Sequence, residues 1–219
     1  MLNNLDGLLW LLLLLGPLLL LQRGLHREIQ TVLLLLTRRS DISLVLFALL
    51  FLPGVLLHEG SHYLIARLLG VRTGRFSVLP RPLQDGRLQL GFVETAPTDW
   101  ARDALIGVAP LLAGGLFVAY AGLSRLRLDI LWQPYRQLGP VKFLDALKIV
   151  YAQPDFWLWF YLTVVVSSTM MPSVTDRRSW LPVGLVVAFL LVASLLVGAG
   201  PWLETQVAPV LNRALQAVA

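Results

Sequence analysis

The stretch Leu56-Leu57-His58-Glu59-Gly60-Ser61-His62-Tyr63-Leu64 lies in the later half of an apolar run from residue 42 to residue 69. A run of that length reads as a membrane-crossing helix, for which about 20 mostly apolar residues suffice. At 3.6 residues per turn, His58 and His62 share one helix face, so both imidazoles reach one zinc ion. Glu59 lies between them and reaches a water on that ion. Charged groups at bilayer depth cost roughly 2.5 kcal/mol or more unless partnered, and a coordinated cation partners all three at once. Two other readings stay open. The histidines are satisfied by neighbouring carbonyls or Ser hydroxyls with Glu59 protonated, or the group belongs to a proton or metal-ion pathway.

Composition supports the membrane reading. Of 219 residues, 57% are hydrophobic and 14% charged, against about 45–50% and about 25% in a soluble domain. The 18 Lys and Arg, set against 13 acids, fall mainly between the apolar runs, which is membrane-flanking charge and argues against nucleic acid as a partner. With no Cys, there is no thiolate site, and any metal must be held by His, Asp or Glu. The leucine-rich N-terminus lacks a basic n-region and an Ala-x-Ala site, so it is kept as an uncleaved helix.

Five spans are expected, at about residues 5–22, 42–69, 101–122, 156–173 and 180–199. Residues 25–37 are apolar but short and flanked by Arg23, Arg27, Arg38 and Arg39, so they are expected to lie at the interface or to re-enter. The fold class is therefore an all-α polytopic bundle of five to six transmembrane helices, with one β-hairpin at the membrane face. That hairpin is read from alternation: Phe76 and Val78, then a turn at Gln84-Asp85-Gly86-Arg87, then Leu88, Leu90 and Phe92. It is either a connector or a substrate-binding edge. Residues 141–152 and the tail from Trp202 read as amphipathic helices lying on the membrane, and Trp157, Trp159 and Trp180 as interfacial anchors. The chain divides into an N-terminal helix and interfacial segment (1–40), a metalloprotease-like membrane core (41–180), and a C-terminal helix with the tail (181–219).

A catalytic zinc usually takes three protein ligands and keeps one open position, so the two histidines need a carboxylate. The pair sits past the middle of the second span. Counting spans from there puts Asp85, Glu94, Asp99, Asp103 and Asp176 on the same side and Asp129, Asp145 and Asp155 on the other. Asp176 is the best candidate because Pro172 breaks the preceding helix and turns the chain inward. Asp99 and Asp103 more simply cap the third span, while Glu94 and Asp85 belong to the hairpin.

These features together resemble the site-2 protease family of intramembrane zinc peptidases. The shared elements are an HExxH on a transmembrane helix, a β-hairpin after it, a span bearing Gly107-Val108-Ala109-Pro110 and Gly114-Gly115, and an Asp behind a helix-ending Pro. The likeness covers about residues 41–180, in a minimal form without a PDZ domain. The family's second motif reads roughly Asn-x-x-Pro-x-x-x-Leu-Asp-Gly. Here Thr169 stands where the Asn would, the Asp comes one residue early, Thr175 precedes it, and Arg177 replaces the Gly.

The resemblance implies zinc (Zn2+) held by His58, His62 and Asp176, with Glu59 as the catalytic acid-base residue. It also implies a transmembrane protein as substrate, and a prokaryotic plasma membrane as the location of a multi-pass protein. The altered second motif motivates a different expectation, a non-proteolytic subunit or scaffold with a membrane-complex partner. Ion transport is the third reading, and the scarcity of ionisable residues in the other spans counts against it.

Overall fold

The computed structural model of the chain describes residues 6–82, 88–128, 130–131, 139–173, 175–178, 180–196, 198, 205–206 and 209–210. Six helices carry most of it: α1 (Asp6–Thr37), α2 (Ser40–Leu68), α3 (Trp100–Tyr120), α4 (Gly139–Tyr151), α5 (Phe156–Thr169) and α6 (Trp180–Leu196). Helix α3 runs on through one wider π-turn at Ala121–Arg125. Among the described residues, α2 and the continuous α3 are long and apolar enough to cross a bilayer, which makes this a membrane protein. A third span is added if α4 and α5, bent by 96° at residues 152–155, form one broken crossing.

Helix α2 is bounded by local chemistry that its sequence announces. Arg39 is extended at its N-cap, and Asp41 in its first turn pairs with Arg39 at 2.6 Å, the favourable sign for a helix N-terminus. At its far end Gly70 takes a left-handed φ of +71°. Its N–H donates to Arg67 O at 3.1 Å, and that of Val71 donates to Ala66 O at 2.8 Å. This is the paired Schellman closure, with Val71 and Ala66 buried together as its apolar contact. Pro53 leaves the helix continuous.

The interfacial segment expected at residues 25–37 is instead the second half of α1, which is unbroken from Asp6 to Thr37. A lone Gly24 costs a helix only about 1 kcal/mol against Ala, too little to end it. The polar residues that read as a boundary have another role. Gln22 and His26, four positions apart, face the bundle: Gln22 donates to Ser168 O and His26 packs edge-on against Phe47 and Phe51, while Gln30, itself exposed, offers its backbone carbonyl to Ser43 Oγ. Ile29 and Leu33 join the core of Phe47, Phe51, Val55 and Val165. A two-residue link then returns the chain into α2, with Arg38 in a left-handed φ of 53°.

The β-segment comprises two nested antiparallel pairs. The outer pair is β1 (Thr73–Ser77) with β4 (Phe92–Thr95), in register Thr73↔Thr95, Phe76↔Val93 and Ser77↔Phe92 with a bulge between Thr73 and Phe76. The inner pair is β2 (Arg81–Pro82) with β3 (Leu88–Gln89), and the expected turn at residues 84–87 lies outside the described residues. The hairpin does not rest beyond the helix ends but folds back along α2. The Phe76 ring meets Tyr63 at 6.0 Å, Gly91 lies against Val55 and Glu59, and Val78 and Leu90 pack on the Phe51–Val55 core. Val78 and Leu90 find their cover there, while Phe76 and Leu79 stay exposed. Helix α4 carries the expected amphipathic segment, with Val150 buried against Leu126 and Phe156. Trp159, expected as an interfacial anchor, packs between Phe117, Tyr120 and Arg125. Most of the C-terminal tail lies outside the described residues.

Helices α2 and α5 touch backbone to side chain at Gly54. A methyl group there would run into Thr169 Oγ1 and stand 2.9 Å from Val165 O. Gly54→Val is therefore expected to lower unfolding stability by about 1–3 kcal/mol, the usual penalty of overpacking. Gly60→Ala, which would meet nothing within 4 Å, should not. Unfolding the purified protein by titration with a denaturing detergent measures both.

Candidate metal centre

The centre forms where α5 stops. An α-helix leaves its last four carbonyls without intrahelical partners, and here the chain beyond Thr169 makes two of them available by specific means. Residue 172 is Pro, so it has no N–H with which to continue the ladder to Ser168 O. The N–H of Ser173 would serve Thr169 O, but it donates to Asp176 Oδ2 at 2.6 Å. Thr169 O then accepts from His58 Nδ1 at 2.7 Å. The break that ends the helix thus also orients a ring of α2.

Helix α3 does the same for the second ring, because His62 Nδ1 donates to Ile106 O at 2.8 Å. With both Nδ1 atoms occupied as donors, the Nε2 atoms are left as the free ring nitrogens, and both point at Asp176. His62 Nε2 is 3.3 Å from Asp176 Oδ1, and His58 Nε2 is 3.8 Å from Oδ2. The three ligating atoms lie within 4.8 Å of one another. A tetrahedral zinc with bonds of about 2.0–2.2 Å sets its ligand atoms roughly 3.3–3.5 Å apart, so small side-chain adjustments bring all three onto one ion. Donation of the far ring nitrogen to a carbonyl is the usual way a metal-binding imidazole is held in its tautomer.

Asp176 is fixed by its own loop and by α3. Its N–H donates to Ser173 Oγ at 3.2 Å while the Ser173 N–H returns the bond, a reciprocal pairing of the kind that S-x-x-D spacing forms at helix starts. Its backbone lies directly on Gly107, where any Cβ would overlap the Asp176 carbonyl. Arg178 adds a link to Asp103 at 3.6 Å. Only a glycine at position 107 lets this loop come near enough for the carboxylate to meet the α2 histidines.

Glu59, on the same helix between the two ligand positions, is 9% exposed. The loop between β3 and β4 covers it: a Cβ on Gly91 would stand 2.8 Å from Glu59 Cγ. His58 also carries Ser61 on its carbonyl at 2.7 Å. This donor set, two neutral imidazoles and one carboxylate, suits a borderline cation such as zinc.

Among the described residues, four other acids weighed from the sequence are engaged elsewhere. Glu94 pairs with Arg75 at 3.0 Å. Asp99 caps α3 by accepting from the Arg102 N–H at 3.0 Å, which holds its carboxyl below the usual range. Asp103 faces Arg178, Asp145 pairs with Lys148, and Asp85 and Asp129 lie outside the described residues. Reasoning from sequence missed the carbonyls of Ile106 and Thr169; the first has a legible cue, because position 110, four residues on, is a proline with no N–H to give to Ile106 O. It also missed Ser173, whose spacing three before Asp176 was a legible cue, and Gln22, which was passed over as a span boundary. Set against known proteins, the chain matches no family model, no curated protein and no solved structure.

The covering of Glu59 by Gly91 is testable because the chain has no native Cys. The pair Glu59→Cys with Gly91→Cys should form a disulfide on mild oxidation, because a Cβ on Gly91 stands 2.8 Å from Glu59 Cγ, where the sulfur of Glu59→Cys would sit. Gly60→Cys with Gly91→Cys should not. The gel shift of each oxidised double variant distinguishes the two outcomes.

Proposed function

We propose that this protein is an intramembrane zinc metalloprotease of the site-2 protease type, hydrolysing a peptide bond in a transmembrane protein substrate. The observation that carries the proposal is the meeting of His58, His62 and Asp176 beside Glu59 on a helix apolar and long enough to cross the bilayer. In this reading α1 and α6 also cross and α4 with α5 makes one broken crossing, giving a multi-pass bundle of five spans in a prokaryotic plasma membrane.

Bound zinc would supply Lewis acidity, polarising a carbonyl and making water acidic enough to deprotonate near neutral pH. His58, His62 and Asp176 would hold it. Glu59 then accepts the proton of the attacking water and returns it to the amide nitrogen that leaves. With their Nδ1–H groups donating to Thr169 O and Ile106 O, His58 and His62 would present Nε2 to the ion. The apolar surroundings exclude bulk water from the reacting groups and strengthen each electrostatic contact. A helical substrate must first unwind to present its carbonyl, and the hairpin beside Glu59 is suitably placed to receive an extended segment.

A second reading is a non-proteolytic membrane subunit that keeps the metal site for structure within a larger complex. The observations favouring it are Thr169 and Arg177 at altered positions of the second motif and the burial of Glu59 under the hairpin.

Purified protein should contain about one zinc per chain by elemental analysis. Asp176→Ala and His62→Ala should each remove most of it, since three ligands are needed to complete the site. Glu59→Gln should keep the zinc and lower cleavage of a model transmembrane substrate by about 100-fold or more, the scale of a general acid-base contribution. If Glu59→Gln cleaves at the parental rate, the protease assignment is wrong; zinc retained without cleavage in the parent favours the subunit.

A further inference from the structure

We propose that Gln22, on α1, is a positioning residue for the metal centre. The inference rests on the metal-centre reading above. Gln22 is separated from the centre's loop by 146 positions, yet its Nε2 donates to Ser168 O at 2.5 Å. That carbonyl is orphaned by covalent structure, because residue 172, four positions on, is a proline with no N–H to give. The next carbonyl, Thr169 O, has lost its helical partner to Asp176 and accepts from His58 instead. The terminus of α5 therefore exposes two adjacent carbonyls in apolar surroundings, each satisfied by one side chain. His58 of α2 takes one, and Gln22 of α1 takes the other.

An unsatisfied carbonyl in hydrocarbon costs several kcal/mol, so the α5 terminus reorganises when either donor is lost. Without Gln22, two carbonyls adjoin the single remaining donor, His58 Nδ1–H. The ring can then tilt away from Thr169, carrying its Nε2 off the metal axis. The register of α1 that brings Gln22 to this point is held independently by His26, whose ring lies 4.6 Å from Phe51 and 5.6 Å from Phe47, and by the Ser43 to Gln30 bond. Helix α1 is in this way a structural part of the site although it contributes no ligand.

The test uses the full-length protein in detergent. Gln22→Met keeps the shape and removes the donor, and Gln22→Lys restores an N–H of sufficient reach. Ser168→Ala is the control, since Ser168 offers its backbone carbonyl and its hydroxyl bonds only locally to Val165 O. Zinc affinity is measured by competition with a chelator, and ligand geometry by the visible spectrum of the cobalt-substituted protein. Direct partners of metal-binding histidines are worth about 10–100-fold in affinity. One step further out, Gln22→Met is expected to weaken zinc by about 3- to 10-fold and to shift the cobalt spectrum. Helicity in the metal-free state should be unchanged, with recovery in Gln22→Lys and no effect in Ser168→Ala. Parental affinity and an unshifted spectrum in Gln22→Met would overturn the inference alone. So would loss of metal-free helicity without recovery in Gln22→Lys, which would assign Gln22 to folding. Failure of the parent to bind zinc would overturn the metal-centre reading and this inference with it.

Discussion

Every part of the site depends on one constraint, that polar backbone exposed by a helix break inside an apolar bundle must find donors within the protein. Pro172 leaves Ser168 O without a helical donor, the Ser173 N–H turns to Asp176, and the Thr169 carbonyl this frees becomes an anchor of the centre. His58 is oriented because Thr169 O needs a donor, and Asp176 is turned inward because the Ser173 N–H goes to its carboxylate rather than to the helix. A continuous α5 would have satisfied those groups itself and left the α2 histidines without orientation or a third partner.

Close backbone approach converts this local break into a three-helix site. Gly54 admits α5 against α2, and Gly107 admits the Asp176 loop against α3. Neither glycine adopts an unusual conformation; each contributes an absent side chain. Dispersion and cavity terms dominate packing where no hydrophobic gradient drives helices together, so small residues decide which faces meet. The Ile106 carbonyl, left without a helical donor because residue 110 is a proline, supplies the second ring with its anchor. The hairpin closes the arrangement from the remaining side, lying along α2 with Gly91 over Glu59, so that Val78, Leu90 and the acid are covered together.

The polar face of α1 extends the same logic to an element the sequence appears to set apart. Gln22, His26 and Gln30 interrupt an otherwise leucine-rich stretch, and a reading based on charge placed a boundary there. In the folded chain Gln22 and His26 turn inward on one long helix, and Gln30, exposed, contributes its backbone carbonyl to a bond with Ser43. Period-four polarity within an apolar helix marks a packed face as readily as an end, and arginines at positions such as 27 are compatible with either.

The sequence by itself determined the helical, membrane-crossing character of the chain, the start and stop of α2, and the shared face of His58 and His62, because each follows from local periodicity, capping and length. It also narrowed the acid to a short list in which Asp176 stood first, by its position behind Pro172. Only the tertiary structure decided the rest. It continued α1 through residues 25–37, laid the hairpin along α2, and brought Asp176 within 3.3–3.8 Å of the two rings. The physical reason is that these outcomes depend on which backbone carbonyls lose their partners and which glycines let helices touch. Pro110 and Pro172 mark in the sequence where carbonyls lose their helical donors, but which side chains reach the freed carbonyls is decided between segments more than 40 positions apart.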